Sequence, residues 1–294
     1  MAINMSLAKT QSKPKFSVAL QSEKYQQLLN NTLKDPKVRN RFIADICTVV
    51  SNNPALQECE TGSIVASGLQ AHSLGLSMIP QLGYCYSVPY KDNKNNRIVA
   101  QFMVGWRGFV QLAIQTSLYK KINVIAIKEG ELQYFDPLNE EIKVKMMIDD
   151  WNKREKAKTT GYYAFFELVN GFKKAIYWSI EEMENHAITY SKGYQAKKGY
   201  TFWEKNFDEM AKKTMLRQLI GKWGPMSIEM QEAFTKDAAS LDIDGKVDYV
   251  DNQPDVVQPQ ELSNNEPVAV EEPVQETASQ EDDNQEIEKF EGDL

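Results

Sequence analysis

The sequence predicts an α+β fold. Three observations carry that expectation: two adjoining stretches with period-two alternation, an Asn-Gly turn between runs of aromatic and branched residues, and an order of helices, strands, helix, strands and helices. The order lacks the regular β-α alternation of a doubly wound sheet.

The first 20 residues, with Lys9, Lys13 and Lys15 among Ser and Gln, read as a flexible basic arm. Residues 23 to 34 and 37 to 50 read as helices parted by Asp35-Pro36, because proline disfavours the helical state of the residue before it. Thr61 is placed to cap TGSIVASGLQAHSLG, a small-residue helix that Gly75 ends and whose glycines and alanines point to close packing.

The period then changes to two. Tyr84, Tyr86, Val88 and Tyr90 share one face of a strand, and Ile98, Ala100, Phe102 and Val104 share one face of the next. Between them KDNKNN is a polar turn, so Lys91, Lys94 and Arg97 surround a hairpin tip. Gly105-Trp106-Arg107-Gly108 leads into a short helix ending near Gln115, and residues 121 to 128, 131 to 135 and 141 to 147 read as strands. Asn170-Gly171 joins YYAFFELV to FKKAIYW as a hairpin. Ser179 with Glu182 forms a capping box before IEEMENHAITY. A loop, SKGYQAKKGY, precedes the last predicted helix, roughly residues 204 to 222.

Charge divides the chain. Residues 241 to 294 hold 17 Asp or Glu against Lys246 and Lys289, a net of −15, whereas residues 1 to 240 hold 32 Lys or Arg and 24 Asp or Glu, a net of +8. The acidic segment has few aromatics and several prolines, so a disordered C-terminal tail is expected after a domain spanning residues 21 to 240. No transmembrane run or signal segment is visible, which predicts a soluble protein.

Several chemistries find no support. Cys47, Cys59 and Cys85 make no CxxC pair, and His72 and His186 have no ligand spacing. Neither GxxxxGK[ST] nor GxGxxG after a strand occurs. The adjacent pairs Asp149-Asp150, Glu181-Glu182 and Glu140-Glu141 point in different directions and suit solvation better than metal binding. No metal site and no required cofactor are expected.

The basic residues are better ordered. On a helical wheel zeroed at Lys205, Lys213 falls at about 80° and Arg217 at about 120°, outside an apolar arc containing Phe207, Ala211, Met215 and Leu219. Lys213 and Arg217 are therefore predicted to share a wet face, while Lys212 falls inside the apolar arc and must snorkel, pair or reach a groove. Further candidates for DNA contact are Arg107, Lys91, Lys94, Arg97, Lys120 and Lys121, with at most one of Lys173 and Lys174 on any one surface. Trp106, Tyr194, Tyr200 and Trp203 lie near cations or glycines and are candidates for stacking on bases, against the plainer reading as core aromatics.

Three blocks then resemble one family. Gly68 to Tyr90, the segment FMVGWRGFVQLAIQT with Gly105, Trp106, Arg107 and Gly108, and Trp203 to Ser227 with Met210, Ala211, Lys213, Thr214 and Arg217 are similar to the RecT family of phage-type single-strand annealing recombinases, in the group that includes lambda Bet. The blocks occur in the family's order. Thr116-Ser117-Leu118 departs from the family's Arg-Ser-Gly, leaving Lys120 or Lys121 to supply that charge.

The resemblance implies a curved antiparallel sheet with flanking helices beside a basic groove, similar to the Rad-type annealing core. It implies ATP-independent binding of single-stranded DNA, annealing of complementary strands, and a ring or helical filament holding the nascent duplex. Implied partners are a 5′ to 3′ exonuclease and the host single-stranded DNA-binding protein, in the cytoplasm of a bacterium, with a phage or prophage gene. No bond chemistry is expected, although Mg2+ is a candidate modulator. The alternatives are a non-annealing single-stranded DNA-binding protein, a nuclease and a structural scaffold.

Overall fold

The computed structural model describes residues 13–92, 95–139, 141–241 and 247–248. The chain enters through α1 (Phe16–Ala19), where Phe16 is buried together with Leu20. Lys13 Nζ donates to the carbonyls of Gln57 and Cys59. The described end of the expected flexible arm is thus docked by apolar burial and hydrogen bonds. Helices α2 (Glu23–Thr32) and α3 (Pro36–Asn52) follow; Asp35 accepts from Lys37 N at 2.8 Å, and Pro36 opens α3 where its missing N–H costs nothing. A 3-10 turn at Pro54–Glu58 leads into α4 (Thr61–Ser73), whose N-cap is Glu60 rather than Thr61. Its small residues admit side chains of α3 rather than another backbone: a Cβ on Gly68 would lie 2.6 Å from Ile46 Cδ1.

Strands β1 (Cys85–Asp92) and β2 (Arg97–Val104) pair antiparallel, with Cys85 opposite Val104. In β1 Cys85, Ser87 and Asp92 are buried, while Tyr86 is exposed. Next come α5 (Trp106–Gln115), β3 (Tyr119–Lys128), β4 (Leu132–Asp136), β5 (Glu141–Val144) and α6 (Trp151–Lys156). β6 (Thr159–Leu168) and β7 (Lys173–Ser179) form the hairpin that Asn170-Gly171 announces, and Ser179 and Glu182 make the expected capping box on α7 (Ile180–Tyr190). The remaining elements are α8 (Lys192–Gln195), α9 (Phe202–Lys205), α10 (Phe207–Trp223), α11 (Ile228–Lys236), β8 (Ala239–Leu241) and β9 (Val247–Asp248). Among the described elements, α1, α6, α8, α11, β8 and β9 have no counterpart in the sequence reading.

The α+β class holds, but the single curved sheet does not. Among the described residues three separate antiparallel sheets are present, ordered β1-β2-β8-β9, β3-β6-β7 and β4-β5. After β2 the chain leaves its sheet through α5, and the edge of β2 is taken by β8 from far along the sequence. β3 pairs instead with β6. The sheet also crosses the predicted domain boundary, since Leu241 of β8 pairs with Val247 of β9. The rest of the expected acidic tail, residues 242–246 and 249–294, lies outside the described residues.

Two apolar clusters support this arrangement. Phe16, Leu29, Phe42, Ile46, Leu56 and Ile64 knit the N-terminal helices together. The larger cluster centres on α10, where Met215, Leu216, Leu219 and Ile220 meet Phe102, Phe109, Tyr162 and Phe166. α10 packs against α5 and against β3, β6 and β7. No helix among the described residues is long and apolar enough to cross a membrane.

Candidate nucleic-acid interface

The glycine-flanked start of α5 has a steric cause. Gly105 N donates to Tyr84 O at 2.8 Å, and a Cβ on Gly105 or Gly108 would lie 2.3 Å from Gly83 O or 2.1 Å from Tyr84 O, respectively. Only glycine allows the first turn of α5 to sit this close to the preceding strand lead. The residues between the glycines, Trp106 and Arg107, are thereby fixed beside the first turns of α10. Trp106 Nε1 donates to Glu209 Oε2 at 2.6 Å, and Lys212 Nζ lies 3.3 Å from Glu209 Oε1. The Arg107 guanidinium and the Lys212 ammonium lie 5.3 and 5.6 Å from the Trp106 ring centroid, within cation–π range. Arg107 is exposed and makes no ion pair among the described residues. Tyr86 joins this corner: burial, then the nearby Glu209 carboxylate, raise its hydroxyl pKa against the opposing pull of Arg107. The cluster carries two cations, one carboxylate and a partly open indole.

Lys213 and Arg217 are placed otherwise than the wheel predicts. Lys213 is 6% exposed, and its ammonium donates to Asp237 Oδ1 at 2.8 Å. Arg217 Nη1 donates to Asp237 Oδ2 at 3.0 Å and to Phe234 O at 3.3 Å, with its guanidinium over the Phe109 and Phe234 rings. Asp237 Oδ1 also accepts from Val104 N at 2.9 Å. Burial pushes the Lys213 pKa down, and the neighbouring Asp237 opposes that shift. The expected wet face of α10 is therefore an internal brace joining α10, the end of α11 and β2. Lys212, expected in the apolar arc, is the outer of the two lysines, with 21% of its side chain exposed.

The other candidates are dispersed. Arg97 is committed to Asp92 at 3.0 Å and Glu60 at 3.3 Å. Lys91 is exposed, and Lys94 lies outside the described residues. Lys120 and Lys121 both reach Glu167, at 2.9 and 3.5 Å. Trp203 is buried among His186, Tyr194 and Phe207, so it and half-buried Tyr194 belong to an aromatic cluster. Tyr200 is exposed, with Lys198 Nζ 5.9 Å from its ring. Thus Trp106, Arg107 and Lys212 come together, Lys120 and Lys121 form a separate group, and the other described candidates join neither.

Glu209, Asp237 and Glu167 organise these groups and were not marked by pattern. Glu209 had a local signal in its i,i+3 spacing from Lys212; Asp237 and Glu167 had none. The three cysteines are free, with burial pushing the Cys59 and Cys85 thiols up to about 11 and 12. Among the described residues no group of three His, Cys, Asp or Glu is placed to hold a metal ion.

An exposed arginine and a partly open lysine around an indole, on an α+β scaffold, make a surface whose chemistry suits an anionic ligand. The sequence matches the RecT family model over residues 40–254, and the chain belongs to the RecT family. It is 34% identical over 271 residues to the uncharacterized protein YqaK of Bacillus subtilis strain 168, covering 86% of this chain and 89% of that one. It is 30% identical over 200 residues to protein RecT of Escherichia coli K12, covering 67% of this chain and 70% of that one. The family is one of non-catalytic proteins that bind and anneal single-stranded DNA.

Proposed function

We propose that this chain binds single-stranded DNA and anneals complementary strands without ATP in phage-type homologous recombination, within an oligomer whose basic groove holds the nascent duplex. Membership of the RecT family carries the reading, and the Trp106 cluster supports it with a chemistry suited to the task. Arg107 and Lys212 contact phosphates and release condensed counterions, which lowers the repulsion between two strands. Trp106 offers a stacking surface indifferent to base identity. Contacts made to phosphate and sugar leave base edges free to test complementarity, so pairing itself supplies the specificity. Lys213 and Arg217 serve this surface indirectly, by holding α10 against β2 and α11. An exonuclease that exposes single strands and the host single-stranded DNA-binding protein are the partners this activity calls for.

The test is an annealing assay with labelled complementary strands and no ATP, with and without Mg2+, followed by gel analysis. Faster pairing with intact products is expected. Binding without acceleration would replace the reading with a protective single-stranded DNA-binding protein. Metal-dependent cleavage would replace it with a nuclease, and DNA-independent assembly alone would indicate a scaffold.

A further inference from the structure

β3 carries a register irregularity between Tyr119 and Lys121, where Lys121 pairs with Glu167 of the central strand β6. Simple alternation would send Lys120 and Lys121 to opposite faces; the irregularity re-aims them so that both reach one carboxylate. Lys173 of β7, opposite Glu167 on the other side, brings a third ammonium to 3.9 Å. The lysine side chains are 59%, 65% and 61% exposed, whereas that of Glu167 is 7% exposed. One carboxylate therefore gathers three open cations and leaves a surplus of two positive charges. Lys174 takes the other face, its ammonium 3.5 Å from the Trp223 ring centroid. In the next row on the lysine side stand Asn123, half-buried Phe165 and Ala175.

This group is distinct from the Trp106 cluster. α5 and α10 run parallel, since Trp106 bonds Glu209 at their N-terminal ends while Tyr119 OH, just beyond α5, donates to Pro225 O just beyond α10. The ten residues of α5, about 15 Å long, lie in the chain between Trp106 and Lys120.

We propose that Lys120, Lys121 and Lys173, gathered by Glu167, form a second phosphate-backbone contact for single-stranded DNA. The surplus charge fits a polyanion, and the half-buried Phe165 ring beside it suits a strand with unstacked bases. This inference rests on the proposed function and extends it to a surface apart from the Trp106 cluster, adding Lys173 and the gathering carboxylate Glu167 to the two candidate lysines of β3.

The experiment is a salt titration of single-stranded DNA binding by the full chain and by the Lys121→Ala/Lys173→Ala variant. Lys120, the nearest of the three, remains as counter-ion to Glu167 so that its buried carboxylate stays paired. The variant is expected to keep the parent's circular dichroism and to lose about 1.4 from the logarithmic salt slope, about 0.7 per contact. A parent that binds while the variant matches it in affinity and slope would overturn the second contact alone. A parent with no salt-dependent binding would overturn the functional reading beneath it. A variant that lost its fold would be replaced by Lys121→Gln/Lys173→Gln, read by the same criteria.

Discussion

Lys213 and Asp237 lie 24 residues apart in the chain and 2.8 Å apart in space, both almost fully buried. Because Arg217 and the Val104 amide meet the same carboxylate, Asp237 is the common acceptor of three donors from two elements. The conspicuous basic motif of α10 is thereby committed inside the protein. At the Trp106 corner the more open cations are its less conspicuous neighbour Lys212 and, across the helix pair, Arg107.

Removing one member of this brace leaves uncompensated charge in a dry place. Asp237→Ala strands two cations and an amide, so it is expected to cost more than Lys213→Ala, with losses of about 3–5 kcal/mol for breaking such buried pairs. Urea unfolding of the two variants checks both the size and the order. Equal stability to the parent would remove the brace from the account.

Gly108→Ala places a methyl where the Tyr84 carbonyl stands. A loss of about 1–3 kcal/mol is expected from overpacking, together with weaker DNA binding as Trp106 and Arg107 shift. Thermal unfolding and a binding titration on one preparation would measure both effects.

Asp92 gives an acid-side signature. Hydrogen bonds from the Asn95 side chain and from Arg97 hold its carboxyl pKa at about 2. A pKa lower in the folded state means a stabilising contribution that is complete above the ordinary carboxylate range, near pH 4, and lost as pH falls toward 2. Asn95→Ala should raise the Asp92 pKa toward its ordinary value, read by NMR titration, and should shrink the stability difference between pH 5 and pH 2.

Much of this architecture was legible in the sequence, for identifiable reasons. The Asn170-Gly171 hairpin, the Ser179 and Glu182 capping box and the Asp35-Pro36 break are local devices, and local devices are written in adjacent residues. What escaped depends on partners far away. A helical wheel assumes one dry and one wet face, but α10 is enclosed by α5 and three strands, so Lys213 turns inward to a carboxylate that no nearby position announces. The irregularity at Lys120 breaks the alternation from which a strand's faces are read. The expected single sheet failed because β2 recruits β8 from more than a hundred residues away.

The acidic segment is expected to act as a competing polyanion on the same chain. Residues 251–294 carry 14 acidic side chains against one lysine, and cutting there spares β8 and β9. Deleting that segment is expected to tighten single-stranded DNA binding at low salt, with the gain shrinking as the Debye length falls from about 30 Å at 0.01 M to about 10 Å at 0.1 M. A gain that is absent at low salt or grows with added salt would assign the segment another role, such as partner docking.

The division between surface cations and buried brace is tested most directly by the salt dependence of single-stranded DNA binding in two variants measured side by side. Arg107→Ala/Lys212→Ala should fold like the parent and lose about 1.4 from the logarithmic salt slope, two phosphate contacts at about 0.7 each. Lys213→Ala should be less stable but, where folded, should keep the parent's slope. The reverse pattern, a full slope in the surface variant and a reduced one in folded Lys213→Ala, would contradict the account.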